Sequence, residues 1–160
     1  CAGNGQPVTQ SVMSATTPAA RSRARRFVLQ ALYQMQMTGC SASDVESQFR
    51  QDFEMKRVDT RYFHELLIGI EANMPELTEA YSAALDRDES ELGAVERAAL
   101  FIASYELIHR IDIPFRVVID EGVELAKQFG ASESHRLVNT VLDALARRFR
   151  TVEQGSVRER

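Results

Sequence analysis

The chain has 160 residues, with 19 basic and 23 acidic side chains for a net charge of −4. That length suits one domain able to bury a core without metals or bridges, and two cysteines cannot build a disulfide framework. No apolar run nears the roughly 20 residues of a membrane span, and no cationic start with an apolar segment reads as a secretory signal. A reducing cytoplasm fits this cysteine usage.

Residues 1–17 are rich in Gly, Gln, Ser and Thr and read as a flexible leader. Cys1 is taken as a trimmed or renumbered start, with a lipid-modified terminus as the alternative. Thr17 is the expected N-cap of a first helix with Pro18 at its opening position, and Gly39 stops it. Ala24, Val28, Ala31, Leu32 and Met35 share its buried face. Arg23, Arg26, Gln30, Tyr33 and Met37 fall opposite. Arg21 and Arg25 sit near the edge of the apolar stripe, so they fit only if the helix tip overhangs the core.

A second helix starts near Ser41 to Asp44 and turns Val45 and Phe49 inward. A third runs from about Asp59 to Asn73 on Phe63, Leu66, Leu67 and Ile70. Pro75 opens a fourth, through Leu77, Tyr81 and Leu85, which ends in the charged turn Asp86 to Glu91. The most apolar stretch, Ala94 to Arg110, is the central helix. Asp112-Ile113-Pro114 breaks it before a sixth helix from Phe115 to Phe129, closed by Gly130. Gly122 lies within that helix and permits close helix contact. Val117-Val118-Ile119 would suit a short strand, but the flanking 3.6-residue period argues for helix. Ser132 is the expected cap of a seventh helix ending near Arg150, and residues 151–160 read as a flexible tail. The fold class is all-α, a compact bundle of about seven helices over residues 18–150.

No catalytic constellation is legible, and the chain reads as a non-enzyme. His64, His109 and His135 lie on separate helices without paired metal-ligand spacing, so neither a metal nor another cofactor is called for. Glycine-rich phosphate loops and nucleophile motifs are absent from the sequence. Asp120/Glu121 and Glu121/Glu124 read as a solvated helix face.

The distribution of charge is more informative. Arg21, Arg23, Arg25 and Arg26 precede the first carboxylate, Asp44, and leave the remaining 15 basic and 23 acidic side chains at −8. Cations at a helix N-terminus oppose the helix dipole, at roughly 0.3–1 kcal/mol each when exposed. An external polyanion would offset that cost. Along Arg26–Gln30–Tyr33, guanidinium, amide and ring are the groups that recognise single-stranded RNA, although an aromatic at helical spacing also suits a core. A second candidate is Ser132-Glu133-Ser134-His135-Arg136. The ordinary reading there is capping by Ser132 with Glu133 against the dipole; the alternative is a phosphate held by free N–H groups.

These segments carry a likeness. Ala24-Arg25 through Gln30-Ala31-Leu32-Tyr33-Gln34, Tyr62-Phe63-His64-Glu65-Leu66-Leu67, Glu96-Arg97-Ala98-Ala99-Leu100, Ile119-Asp120-Glu121 and Ser134-His135-Arg136-Leu137-Val138-Asn139 resemble the NusB family of bacterial transcription antitermination factors. The likeness runs in order over about residues 19–147. It implies an all-helical RNA-binding protein that joins the ribosomal protein NusE on box A of nascent transcripts, notably from ribosomal RNA operons. The complex helps RNA polymerase read through terminators.

By that resemblance, RNA contact falls to Arg21, Arg23, Arg25, Arg26, Gln30 and Tyr33, and to Ser132, Glu133, Ser134, His135 and Arg136. Glu96 corresponds to the side that meets NusE. Leu137 stands where an aromatic is common, Thr140 where a glycine is frequent, and Asp120 where an asparagine is frequent. The alternatives are the RNA-binding domain of an RNA cytosine methyltransferase, and a homodimeric scaffold that hides its RNA face.

Overall fold

The computed structural model describes residues 17–153. The leader expected over 1–17 and the last seven residues of the expected tail therefore lie, apart from Thr17, outside the described residues, as does Cys1. Among the described residues there is no strand; the elements are α1 (Pro18–Thr38), α2 (Ala42–Asp52), α3 (Thr60–Ala72), α4 (Met74–Ser82), a 3-10 turn (Glu89–Glu91), α5 (Ala94–His109), α6 (Phe115–Phe129) and α7 (Ser134–Phe149). No helix among them is long and apolar enough to cross a membrane. They divide at Glu71/Ala72 into two compact units.

In the first unit, α1 begins as its sequence dictates. Thr17 Oγ1 accepts from Ala20 N at 3.1 Å, satisfying one of the N–H groups that a helix start leaves open. Its end is equally local: Gly39 takes φ 76°, a left-handed conformation that glycine adopts without strain, and donates to Met35 O. Ala24, Val28, Ala31, Leu32 and Met35 are buried as the 3.6-residue period requires. Phe27, Phe49, Phe53 and Phe63 bring α1, α2, the following loop and α3 together, with ring centroids 5.1–6.3 Å apart. Such edge and offset ring contacts add about 0.5–1.5 kcal/mol per pair to simple burial. Glu46 ties α2 to α3, accepting from Arg50 and lying 2.7 Å from His64 Nδ1.

The second unit is built on α5, whose residues Ala98 to Leu107 are buried without a break. Helices α4, α6 and α7 all pack on it, so a period-3.6 polar face has no place there. Gly122 of α6 makes the close approach possible, since a Cβ there would lie 2.7 Å from Leu142 Cδ1 on α7. Val117, Val118 and Ile119 are helical within α6. Helix α4 stops at Ser82, so Leu85 belongs to the turn that follows rather than to the helix. Tyr81 donates to Glu89 Oε1 at 2.8 Å, and Arg97 binds the same carboxylate. Burial, then the contact with Glu89, pushes the Tyr81 hydroxyl far above its usual pKa. Burial would also raise Glu89, but hydrogen bonds from Arg97 and Tyr81 outweigh it and hold the carboxyl below its usual range.

Arg150 closes this unit. Its guanidinium is buried and donates to the main-chain oxygens of Leu107, Ile113, Glu106 and Arg110 at 2.8–3.1 Å, and to Glu153 Oε1 at 2.8 Å. The other oxygen of Glu153 accepts from Phe115 N at 2.9 Å. Residues 151–153 are therefore helical and anchored, where a tail beginning at 151 was expected.

Candidate RNA interface

The arginines of α1 separate into two pairs with different roles. Arg25 is only 3 % exposed, with its guanidinium 5.5 Å from the centroid of the Tyr62 ring. Arg21 covers the same ring at 5.1 Å and lies 3.9 Å from Asp59 Oδ2. Positions 21, 25, 28 and 32 follow one helix edge, so the first two are drawn onto the packed side. The expected overhang of the whole cluster is thus corrected: Arg25 is a buried cation on an aromatic face, and Arg21 is half-buried beside it.

Arg23 and Arg26 remain partly exposed, and neither enters an ion pair among the described residues. Arg23 Nη1 donates to Arg57 O at 3.3 Å, a contact that leaves its charge uncompensated. Gln30 Nε2 donates to the main-chain oxygen of Arg26 at 3.2 Å, which holds the amide against the helix one turn along from Arg26. Tyr33 is 44 % exposed, so of the two readings open to it the outward one holds. Arg26, Gln30, Tyr33 and Met37 recur at helical spacing along one accessible edge. That edge offers, in order, a cation, a hydrogen-bonding amide and a ring face for stacking.

The second candidate, in the other unit, has a different design. Helix α7 begins at Ser134; Glu133 occupies its N-cap position without a side-chain cap, and Ser132 is an exposed loop residue. Ser132 therefore does not cap the helix. Ser134 is buried, and its hydroxyl donates to Glu96 Oε2 at 2.8 Å. Glu96 Oε1 accepts from Gly93 N at 2.9 Å, so this carboxylate fastens the starts of α5 and α7 together. The N–H groups of Ser134 and Arg136 are already spent on Ala131 O and Glu133 O, which leaves less of the helix start for a phosphate than the sequence suggested.

Gly130 is required there by space, because a Cβ would meet Ala126 O at 2.7 Å and Ser134 Cβ at 2.9 Å. Glu133 and Arg136 are exposed and paired at 3.2 Å, and His135 is half-buried. Beside them lies a groove of about 390 Å³ whose lining includes Asp86, Arg87, Glu96, Ser134, Arg136 and Leu137. Arg87 was not singled out from the sequence, because only the tertiary fold returns the 86–91 turn to the start of α7.

None of the three histidines forms part of a metal cluster among the described residues: His64 meets Glu46, and His109 meets Glu76 at 2.6 Å.

A sequence profile of the NusB family matches residues 22–147, which takes in both candidate sites apart from Arg21. The chain belongs to the NusB family. Its similarity to the transcription antitermination protein NusB of Alcanivorax borkumensis is 49 % identity over 145 residues, covering 91 % of this chain and 97 % of that one. The protein of the same description from Idiomarina loihiensis is 46 % identical, over 86 % of this chain and 99 % of its own length. A solved structure of T. maritima NusB superposes with a TM-score of 0.72 at 30 % identity, over 82 % of this chain and 92 % of that one. The NusB likeness thus extends to backbone as well as sequence, and the arginine-bearing α1 lies almost wholly inside the matched span.

Proposed function

We propose that this protein is a transcription antitermination factor, acting in the cytoplasm, that binds the box A element of nascent RNA together with the ribosomal protein NusE. It is an RNA-binding factor rather than an enzyme, and serves the RNA polymerase complex that reads through terminators, notably in ribosomal RNA operons. The observation that carries this reading is the accessible edge of α1, where Arg23 and Arg26 stand without carboxylate partners beside Gln30 and the exposed Tyr33 ring. It is supported by relatives described as transcription antitermination proteins, matched over nearly their whole length. That coverage favours the antitermination reading over an RNA-binding domain of a methyltransferase.

On this reading residues 18–150 work as one RNA-binding domain. Arg23, Arg26, Gln30 and Tyr33 touch the strand, Arg21 and Arg25 hold the helix edge in place, and Ser132, Glu133, His135 and Arg136 supply a further contact. Ser134 acts from beneath, through Glu96, and Glu96 stands on the side that receives NusE. The −8 balance outside the arginine cluster would draw a basic ribosomal protein by complementary charge, raising the encounter rate. An association rate with NusE that ignored ionic strength would remove the steering.

The test is titration of a box A RNA and a scrambled RNA at several salt concentrations, with and without NusE. Tighter binding of box A, enhanced by NusE and weakened by salt, is expected. Equal binding of both RNAs under all conditions would defeat the proposal, and an unchanged dimer that never binds RNA would favour the scaffold alternative.

A further inference from the structure

The cationic surface of the first unit does not end with α1. The segment joining α2 to α3 is docked on the start of α1 through Asp59 N, which donates to Ala20 O at 3.1 Å, and through Arg57 O, which accepts from Arg23. This segment and the first turn of α3 carry Lys56, Arg57 and Arg61, all exposed. None of the three enters an ion pair among the described residues. The nearby acids are turned to other tasks. Asp59 is buried and accepts from Tyr62 N at 3.0 Å, and Glu54 accepts from Lys56 N at 3.0 Å. The first turn of α3 holds no acid; the Asp59 carboxylate caps the helix from the residue before it and also faces Arg21 at 3.9 Å, so Arg61 has no ion-pair partner of its own among the described residues.

We infer that Lys56, Arg57 and Arg61 form a second phosphate-binding strip, continuous with Arg23 and Arg26, that takes the backbone of the same RNA strand beyond the bases met by α1. This rests on the proposed RNA-binding reading and enlarges its footprint. The chemistry assigns a backbone role: these side chains are point charges and forks of the kind that meet phosphate oxygens. They would therefore add affinity without sequence preference. The hydrogen bond from Arg23 uses the main-chain oxygen of Arg57, so truncating the Arg57 side chain leaves the junction intact.

The experiment is salt-dependent binding of box A and scrambled RNA of equal length to wild type, to Lys56→Ala/Arg57→Ala/Arg61→Ala, to Arg57→Lys/Arg61→Lys, and to Arg23→Ala/Arg26→Ala. Loss of three single-strand phosphate contacts lowers the slope of log affinity against log salt by about 2. Between 50 and 200 mM salt the triple variant should then lose about twentyfold less affinity than wild type. The reduction should be equal for both RNAs, with an unchanged melting temperature and with the wild-type slope kept by the lysine variant. A triple variant with the wild-type slope, beside an α1 variant with a reduced one, overturns the second strip while RNA binding through α1 stands. Wild-type slopes in both variants would remove the strip and the RNA reading together. A selective loss for box A, or failure of the lysine variant, would overturn the backbone assignment.

Discussion

Ser134, at the first position of α7, donates its buried hydroxyl to Glu96 Oε2 at 2.8 Å, and so secures the loop before α7 to the first turn of α5. A hydrogen bond to a carboxylate in such a place is worth about 1.5–3 kcal/mol. Ser134→Ala should lower stability by that amount in chemical denaturation. Glu96→Ala should lower it further, since it also frees Gly93 N. A double-mutant cycle should show coupling of at least about 0.5 kcal/mol; strict additivity would mean that the two groups do not share the bond.

The two pairs of arginines on α1 should part in their effects. Arg23→Ala with Arg26→Ala should flatten the salt dependence of RNA binding by about 1.4 in slope, two phosphates at roughly 0.7 each, and leave the melting temperature unmoved. Arg25→Ala should instead destabilise the fold by about 2 kcal/mol, because a desolvated cation over the Tyr62 ring is lost. Similar melting curves for the two variants would contradict this division.

Phe101 is 4 % exposed and meets Tyr81 edge-on, with centroids 5.5 Å apart. Its truncation to alanine should cost about 3–5 kcal/mol, removing buried area and leaving a cavity beside the tyrosine. Calorimetry on the purified variant is the check, and a melting temperature equal to wild type would place Phe101 outside the core.

Gly130→Ala should destabilise by about 1–3 kcal/mol, since the new methyl meets a main-chain oxygen and the base of Ser134 rather than a movable side-chain tip. The same variant should disturb the amide signals of the following loop in NMR spectra. An unperturbed loop would mean that the space is less tight than the backbone indicates.

Acid should unfold the second unit partly through Glu89. Its carboxyl holds a proton less readily folded than unfolded, held down by Arg97 and Tyr81 against the opposing effect of burial. The stability it contributes is complete above the ordinary glutamate pKa of about 4.3 and drains away as pH falls below that through the depressed folded value. Tyr81 works in the opposite sense, so its contribution is complete below about pH 10 and is lost as pH climbs beyond. Glu89→Gln should flatten the acid limb of melting temperature against pH. Parallel limbs in wild type and variant would exclude Glu89 as a source.

Local signals marked the helix ends well. Thr17 and Pro18 opened α1, Gly39 closed it, and Gly130 ended α6, because caps and left-handed turns depend on residues within one turn of each other. The continuous apolar run of α5 likewise made it the central helix. What failed involved partners far apart in the chain. Ser132 looked like a cap, but Ser134 was claimed by Glu96, 38 residues away, and the helix began there. Arg25 looked like part of a projecting tip because its stripe-edge position did not reveal Tyr62, which covers it. For Tyr33, periodicity placed the residue on an edge but could not say whether another element would cover that edge. The cationic residues at 56, 57 and 61 were invisible as a cluster, since they join Arg23 and Arg26 only after α3 turns back to α1.

Arg150 satisfies four main-chain oxygens at the corner between α5 and α6, yet it is among the last of the described residues to leave the ribosome. During synthesis those carbonyls lack the one guanidinium that gathers them, so the corner stays unsealed until α7 and Arg150 have emerged. For this protein, the second unit is sealed only once the helix made last among its described helices is in place.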